Sequence, residues 1–172
     1  QAMAVHGRMP AVAQKAAQDI GRTLEEAVKA GQIRLDDLFD HNYVPIPNTR
    51  PQKYSSKFDA LTDNIFPPVQ EPVLDGHKEA AYAGAVDING YFPTHNKRFS
   101  RPLTGDEKVD FVNNRTKRIF NDPVGKKCGS HEQPYLLQTY RRDTGEIMHD
   151  LSVPIYVQGR HWGGFRLGYR TE

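Results

Sequence analysis

The sequence lacks the cysteines that would stabilise a fold through disulfides or through cysteine-bound zinc. It contains a single cysteine, Cys128, which excludes an internal disulfide and any zinc site built on cysteines. No stretch approaches the roughly 18 consecutive apolar residues of a membrane-spanning helix, and no signal peptide is visible. A net charge of +2 also gives no electrostatic reason to expect nucleic acid as a partner.

The chain does have the length and aromatic content of a folded domain. Its 172 residues are enough to bury a core, and an aromatic share of 10% argues against disorder. The 14 glycines and 12 prolines predict many loops. We therefore expect a single domain over residues 1–172. It would contain a long helix over 1–40, a proline-rich loop region over 41–77 and a sheet core over 78–172.

The N-terminal part has the pattern of a long amphipathic helix. Apolar residues recur at steps of three and four from Val5 to Ala27, and polar residues fill the other face. Such a stripe packs against the domain's own sheet, against the helix of a second copy, or both. Residues 34–40 either extend this helix or form a second, short helix after Gly31.

The region over 41–77 is rich in proline, which disfavours long helices and central strands. Residues 57–66, KFDALTDNIF, leave room for one or two helical turns. A connection of this length inside a compact domain is typical of a binding lid. A linker between two domains is the alternative.

The first strands of the sheet core are predicted around an Asn-Gly turn. Because Asn-Gly between apolar flanks is the strongest short-range hairpin signal, we expect Ala81–Val86 and Tyr91–His95 to pair across Asp87–Gly90. Thr104 and Glu107 have the spacing of a capping box, which predicts a helix that runs to about Phe120.

The last third has the pattern of three antiparallel strands joined by turns at 143–145 and 158–159. The predicted strands are Pro134–Arg141, Glu146–Val157 and His161–Tyr169. Strict alternation in the last one places Trp162 on the face of Arg166, opposite Phe165. The expected fold class is α+β, with an antiparallel sheet of five to six strands and the long N-terminal helix packed on it.

Cys128 and His131 are the nearest approach to a reactive cluster. A single cysteine cannot provide the usual pair for covalent haem attachment, and neither residue has the spacing of a metal site with Glu132. Ser130 lacks a nucleophile elbow, and residues 125–127 lack the rest of a phosphate-binding loop. We expect a plain loop here. The sequence thus indicates no catalytic residue, no metal and no cofactor, which predicts a binding protein rather than an enzyme.

Two segments together carry a family likeness. Residues 81–96, AYAGAVDINGYFPTHN, place Asp87 and Gly90 in an Asp-x-x-Gly turn that precedes a strand ending in His95 and Asn96. Residues 150–169 contain PIYVQGRHWGG, a PI-x-V-x-G-x-x-W-G pattern whose members include Gly159, Trp162 and Gly163. This pair of motifs resembles the Cache (PAS-like) sensor domains of bacterial methyl-accepting chemotaxis proteins.

The resemblance implies an extracytoplasmic, periplasmic module of an inner-membrane receptor. Flanking membrane helices would lie outside this chain, which begins at Gln1 rather than Met. The receptor would be a homodimer through its N-terminal helix, and a small-molecule ligand would bind between the sheet, the long helix and the proline-rich loop. A histidine kinase or a cyclic-dinucleotide enzyme is an alternative output. A haem or metal redox sensor using His95, Cys128 or His131, and a small hydrolase, are alternatives of other classes.

Polar residues on inward strand faces are the candidates for ligand contact. An arginine accompanied by tyrosine hydroxyls suits a small carboxylate. Two of the candidates, Tyr140 and Arg141, point to opposite faces of a regular strand, so at most one lines a pocket unless a bulge intervenes. The predicted ligand-binding residues are Tyr82, Tyr91, His95, Tyr140 and Arg141. The predicted structural residues of the two turns are Asp87, Gly90, Gly159, Trp162 and Gly163.

Overall fold

The computed structural model describes residues 2–142 and 145–171 and has the predicted α+β architecture. A 28-residue helix, α1 (Ala2–Lys29), comes first. The other elements follow in chain order: α2 (Leu35–Leu38), β1 (Val44–Ile46), β2 (Lys53–Ser55), α3 (Asp59–Ile65), α4 (Pro67–Asp75), β3 (Ala80–Asp87), β4 (Tyr91–Phe92), a 3-10 turn (Lys97–Phe99), α5 (Glu107–Asn113), β5 (Arg118–Ile119), α6 (Pro123–Ser130), β6 (Leu136–Arg141), β7 (Ile147–Val157) and β8 (Arg160–Tyr169). Among the described residues, no helix combines the length and hydropathy needed to span a membrane.

The main sheet is antiparallel and has the strand order β3-β8-β7-β6. The predicted hairpin of β7 and β8 is confirmed. Its turn contains Gln158 and Gly159 at φ 51° and 76°, the left-handed conformations that tight hairpin turns use. The turn predicted before β7 includes residues 143 and 144, which lie outside the described residues.

Helix α1 packs across the sheet with the apolar stripe that its sequence predicts. The buried side chains of the stripe, from Val5 to Leu24, share one core cluster with Phe165 and Leu167 of β8. The helix ends earlier than residue 40. Gly31 has φ 74°, and the N–H groups of Gly31 and Gln32 bond back to the last turn, which is a Schellman ending. Residues 35–38 therefore form a separate helix, α2, which was the second of the two sequence-based alternatives.

The proline-rich region is more helical than its composition predicts. Pro67 and Pro68 occupy the first turn of α4, where the missing N–H groups would have had no partner within the helix. Phe58 and Phe66, at the starts of α3 and α4, are fully buried and make edge contacts with the Trp162 ring at 5.5 and 5.9 Å. This part of the chain therefore builds core rather than a free lid.

The main sheet has four strands because β4, the expected partner of β3, does not pair with it. The turn forms as predicted, since Gly90 at φ 83° donates its N–H to the Asp87 carbonyl. However, β4 pairs with β5 in a small separate sheet. Side chains take its place on the outer edge of β3: the amides of Asn96 and Gln70 bond to the backbone of residues 83–85 at 2.9 Å. These bonds satisfy an edge that would otherwise be unpaired.

The helix predicted from Thr104 to Phe120 is wrong at both ends. Asp106 caps α5 by accepting from the N–H groups of residues 108 and 109, while Thr104 bonds to the Asp110 carboxylate. The helix stops at residue 113 because Asn114 takes an extended conformation and donates its side-chain amide to the Arg101 carbonyl. Residues 114–120 are thus free to run beside β4.

A bulge in β8 changes the face of Trp162. Ile155 pairs with Gly163 and Tyr156 with His161, so Trp162 has no partner in β7. Its ring joins the core cluster of Phe165, against the expectation from strict alternation, and its indole N–H donates to the Leu38 carbonyl at 3.0 Å. Arg166 remains on the other face.

We expect opposite effects on stability from the same change at two glycines. A Cβ on Gly163 would be forced onto the Val86 carbonyl oxygen, so Gly163→Ala should lower the free energy of unfolding by about 1–3 kcal/mol. A Cβ on Gly7 in α1 meets nothing within 4 Å, so Gly7→Ala should raise it by up to ~1 kcal/mol. Urea unfolding of both variants measures this. Equal changes in the free energy of unfolding would contradict the close approach of the β8 backbone to β3 at Gly163.

Candidate functional site

A cavity of about 460 Å³ lies on the face of the main sheet opposite α1. Tyr82, Tyr140 and Arg166 form its floor from β3, β6 and β8, and the segments after β4 and α5 form its walls. The complete lining is Tyr82, Phe92, His95, Phe99, Phe111, Arg115, Arg118, Phe120, Asp122, Val124, Tyr140, Arg142 and Arg166. Aromatic rings and arginines therefore make up most of its surface.

The carboxylate of Asp150 in β7 holds the floor of the cavity together. It is fully buried and accepts bonds from Tyr82 Oη at 2.5 Å, Arg166 Nη2 at 2.9 Å and Cys128 Sγ at 3.0 Å. Burial alone would lower the pKa of Arg166, but Asp150 outweighs it and holds that pKa above its usual value. Arg166 therefore stays charged, and its ion pair with Asp150 leaves no net charge in the floor.

Cys128 lies in helix α6 and not in the plain loop that its sequence context predicts. Pro123 begins this helix at a position that needs no N–H partner. Burial, together with the charge of Asp150, raises the pKa of the Cys128 thiol. The thiol therefore stays protonated as a hydrogen-bond donor to Asp150, and it is not poised as a nucleophile or a metal ligand.

His95 presents one ring nitrogen to the cavity. Its side chain is only 6% exposed, it stacks on the Phe92 ring at 3.9 Å, and its Nδ1 accepts the Asn96 N–H at 2.8 Å. Burial, followed by the charge of Arg115, lowers its pKa well below the usual value, so the ring is neutral and carries its proton on Nε2. Every fully buried polar side-chain atom of the described residues has a hydrogen-bond partner. The Nε2 atom of His95 has no partner among these residues, so it is not fully buried, and it opens into the cavity that His95 lines.

Arg115 and Arg118 bring uncompensated positive charge to the wall. Their guanidinium groups bond only to backbone carbonyls, those of Val112 at 3.1 Å and Phe111 at 3.3 Å. Within the described residues, neither forms an ion pair with a carboxylate. Burial, and then the charge of Arg115, lowers the pKa of Arg118 to about 10. The site is therefore short of negative charge.

Three of the five predicted ligand-binding residues line this cavity. Tyr82, His95 and Tyr140 do so, whereas Tyr91 is buried in the core and donates its hydroxyl to Asp59 at 2.8 Å. Arg141 is exposed and bonds to the Gly145 carbonyl at 2.9 Å, which confirms that it and Tyr140 point to opposite faces. The cavity also corrects the expected location, because neither the long helix nor the proline-rich region lines it.

Sequence reasoning missed the arginines that give the cavity its charge. The pattern Arg-x-x-Arg-x-Phe at residues 115–120 contains three of the lining residues, but the predicted helix would have spread them over its surface. Asn114, which ends that helix, was the available signal, because asparagine favours turns over helix interiors. Arg166 was placed on the correct face.

A larger groove of about 720 Å³ runs along the other side of the sheet, between α1 and β7. Its lining includes charged side chains of both signs, such as Arg22, Glu25 and Glu26, and several of them are paired along the helix. It contains none of the predicted ligand-binding residues. We therefore place the candidate site in the smaller cavity, where buried donors converge.

Comparisons with protein-family models, with curated proteins and with solved structures found no match to this chain. Within the described part of the chain, no group of three or more His, Cys, Asp and Glu side chains is placed to hold a metal ion.

We expect Asp150→Asn to be strongly destabilising. The change keeps the shape of the side chain but leaves Arg166 charged, buried and unpaired, which typically costs about 3–5 kcal/mol. Asp36→Asn is the control, because Asp36 is 84% exposed and should change stability by less than ~0.5 kcal/mol. Urea unfolding compares the two, and a small effect at Asp150 would contradict the role given to its carboxylate.

Proposed function

We propose that this chain is the extracytoplasmic ligand-sensing domain of a methyl-accepting chemotaxis receptor. The observation that carries the proposal is the cavity on the main sheet, in which Tyr82, His95 and Tyr140 surround a space of about 460 Å³. Its size lies in the range of small-molecule sites, and its lining combines aromatic rings with charged and polar side chains that can orient a ligand. The domain binds its ligand there and does not transform it.

The layering of the sheet offers a route for a signal. Arg166 contacts the cavity, while its neighbours Phe165 and Leu167 pack in the same cluster as α1 on the other face. At the end of β8, the Tyr169 hydroxyl bonds to His6 Nδ1 near the start of α1 at 2.7 Å. A ligand that shifts β8 would therefore move the junction of the first helix and the last strand, next to which the membrane helices of such a receptor would lie.

The same sensor could control a histidine kinase or a cyclic-dinucleotide enzyme instead of a chemotaxis pathway. The same cavity supports each of these outputs, and the sequence of the full-length gene distinguishes them. A haem or metal redox sensor has less support, because His95 Nδ1 and the Cys128 thiol are already engaged by Asn96 and Asp150. An absorption spectrum of the purified protein without a Soret band would remove the haem alternative.

The proposal includes a homodimer formed through α1. The outer face of this helix exposes small and polar side chains, among them Ala4, Ala11 and Gln18 at intervals of seven residues. We expect sedimentation equilibrium to show dimerisation at rising concentration, and Ala11→Arg to weaken it. Leu137→Arg, at an exposed apolar residue of β6, is the control and should have no effect. A strict monomer at all concentrations would contradict this part of the proposal.

Filling the cavity should abolish ligand binding without unfolding the domain. A small molecule found by a thermal-shift screen and present at a hundred times its Kd should stabilise the protein by about 2.7 kcal/mol. Val124→Trp places a large ring in the cavity and should remove that shift. Val44→Trp is the control, because Val44 is 59% exposed and does not line the cavity. If no class of compound stabilises the wild-type protein, the proposed function fails.

A further inference from the structure

We infer that the ligand of this cavity is an organic anion with a flat aromatic body and no ammonium group. The inference rests on the proposed function and names the chemical class that the site selects. It depends on three features of the cavity: unpaired guanidinium groups, a neutral donor of fixed direction, and aromatic walls. A fourth feature, the excess of cationic over anionic side chains in the lining, disfavours amines.

The negative charge of the ligand follows from Arg115 and Arg118. Both guanidinium groups are half-buried and line the cavity, and neither has a carboxylate partner among the described residues. Arginine binds carboxylates through parallel N–H donors, and such charge-assisted bonds are about twice as strong as neutral ones. An anion bound here would supply the charge that the wall lacks.

His95 adds a donor whose position is set by the fold. The ring is held by stacking on Phe92 and by the Asn96 N–H at Nδ1, which leaves Nε2–H directed into the cavity. A neutral N–H requires an acceptor and gains nothing from a cation. It therefore selects an oxygen or an unprotonated nitrogen on the ligand.

The aromatic body of the ligand follows from the walls. Phe99, Phe120 and Tyr140 line the cavity, and Phe111 lines it while 52% of its surface is exposed. The Arg118 guanidinium lies 4.8 Å from the Phe111 ring and 4.9 Å from the Phe120 ring. A flat ring can stack on these side chains with its carboxylate at the arginines, which would also cover the exposed part of Phe111.

An ammonium group would meet no available carboxylate in the floor. The Asp150 carboxylate is saturated by Tyr82, Arg166 and Cys128, and it is fully buried. Asp122 is the one carboxylate among the described lining residues, and it lies in the wall, where Arg115 and Arg118 outnumber it. A cationic amine would therefore meet a wall in which positive charge exceeds negative charge, so α-amino acids and aromatic amines should bind less tightly than an anion.

Four probes that vary the ring, the carboxylate and the ammonium group test the inference by isothermal titration calorimetry at pH 7. Benzoate carries the ring and the charge, L-phenylalanine adds an ammonium group, benzylamine replaces the charge, and acetate removes the ring. We expect benzoate to bind at least about tenfold more tightly than each of the others, the loss of one charge-assisted contact. Arg118→Gln and Arg115→Gln should each weaken benzoate about tenfold or more, and Arg141→Gln, on the exposed face, should not.

The outcomes separate this inference from the proposed function. If L-phenylalanine or benzylamine binds as tightly as benzoate and depends on Arg118, the ligand class is wrong but the sensor proposal stands. Acetate binding as tightly as benzoate would contradict the aromatic body alone. If none of the four probes and no compound of the wider screen binds, both proposals fail. Circular dichroism of each variant confirms that a loss of binding does not reflect unfolding.

Discussion

The buried carboxylate of Asp150 is the interaction on which the cavity depends. It joins β3, β7, β8 and α6 through a tyrosine hydroxyl, an arginine and a thiol. A buried ion pair repays its desolvation only when the remaining polar atoms are also bonded, and here each carboxylate oxygen has a donor. Because Asp150 neutralises Arg166, the unpaired positive charge in the cavity is that of Arg115 and Arg118, which exceeds the charge of the one described lining carboxylate, Asp122. The electrostatic character of the site is thus decided by which arginines lack a carboxylate.

The two faces of the main sheet have different neighbours. On one face Phe165 and Leu167 pack with α1 in the large core cluster. On the other face Arg166 and Tyr82 face the cavity. Since the same strand, β8, contributes to both faces, a change at the cavity floor cannot be isolated from the helix layer. This coupling requires no moving loop, and it gives the proposed sensor a physical basis in a shared strand.

The parts that sequence patterns predict well are those that depend on one dominant period. The stripe of α1, the strands β6 to β8 and the turn at Gly159 follow from hydrophobic spacing and turn chemistry. The other elements were predicted wrongly because tertiary contacts decided their structure. The strand expected after Gly90 does not pair with β3, because the side chains of Gln70 and Asn96 bond to that edge instead. The bulge in β8 moves the Trp162 side chain to the opposite face of the sheet. Neither event has a local signature in a single sequence.

The residues of the candidate site were likewise predictable only in part. Tyr82, His95 and Tyr140 lie on strands or directly after one, so alternation could place them, whereas Arg115 and Arg118 depend on where α5 stops. That end is set by a bond from Asn114 to the Arg101 carbonyl, a contact between segments that no periodicity reveals. The charge of the cavity, on which the proposed class of ligand rests, therefore follows from tertiary contacts and not from the sequence pattern.

The most direct measurement for the central claim is an NMR titration of the arginine side-chain Nε–Hε signals with benzoate. The account predicts that the signals of Arg115 and Arg118 shift with saturation, while those of Arg141 on the exposed face and Arg22 beside the α1–β7 groove do not. Shifts confined to Arg22 would place the ligand in the other groove and contradict the account. An absence of any shift at a benzoate concentration that stabilises the protein would contradict it equally.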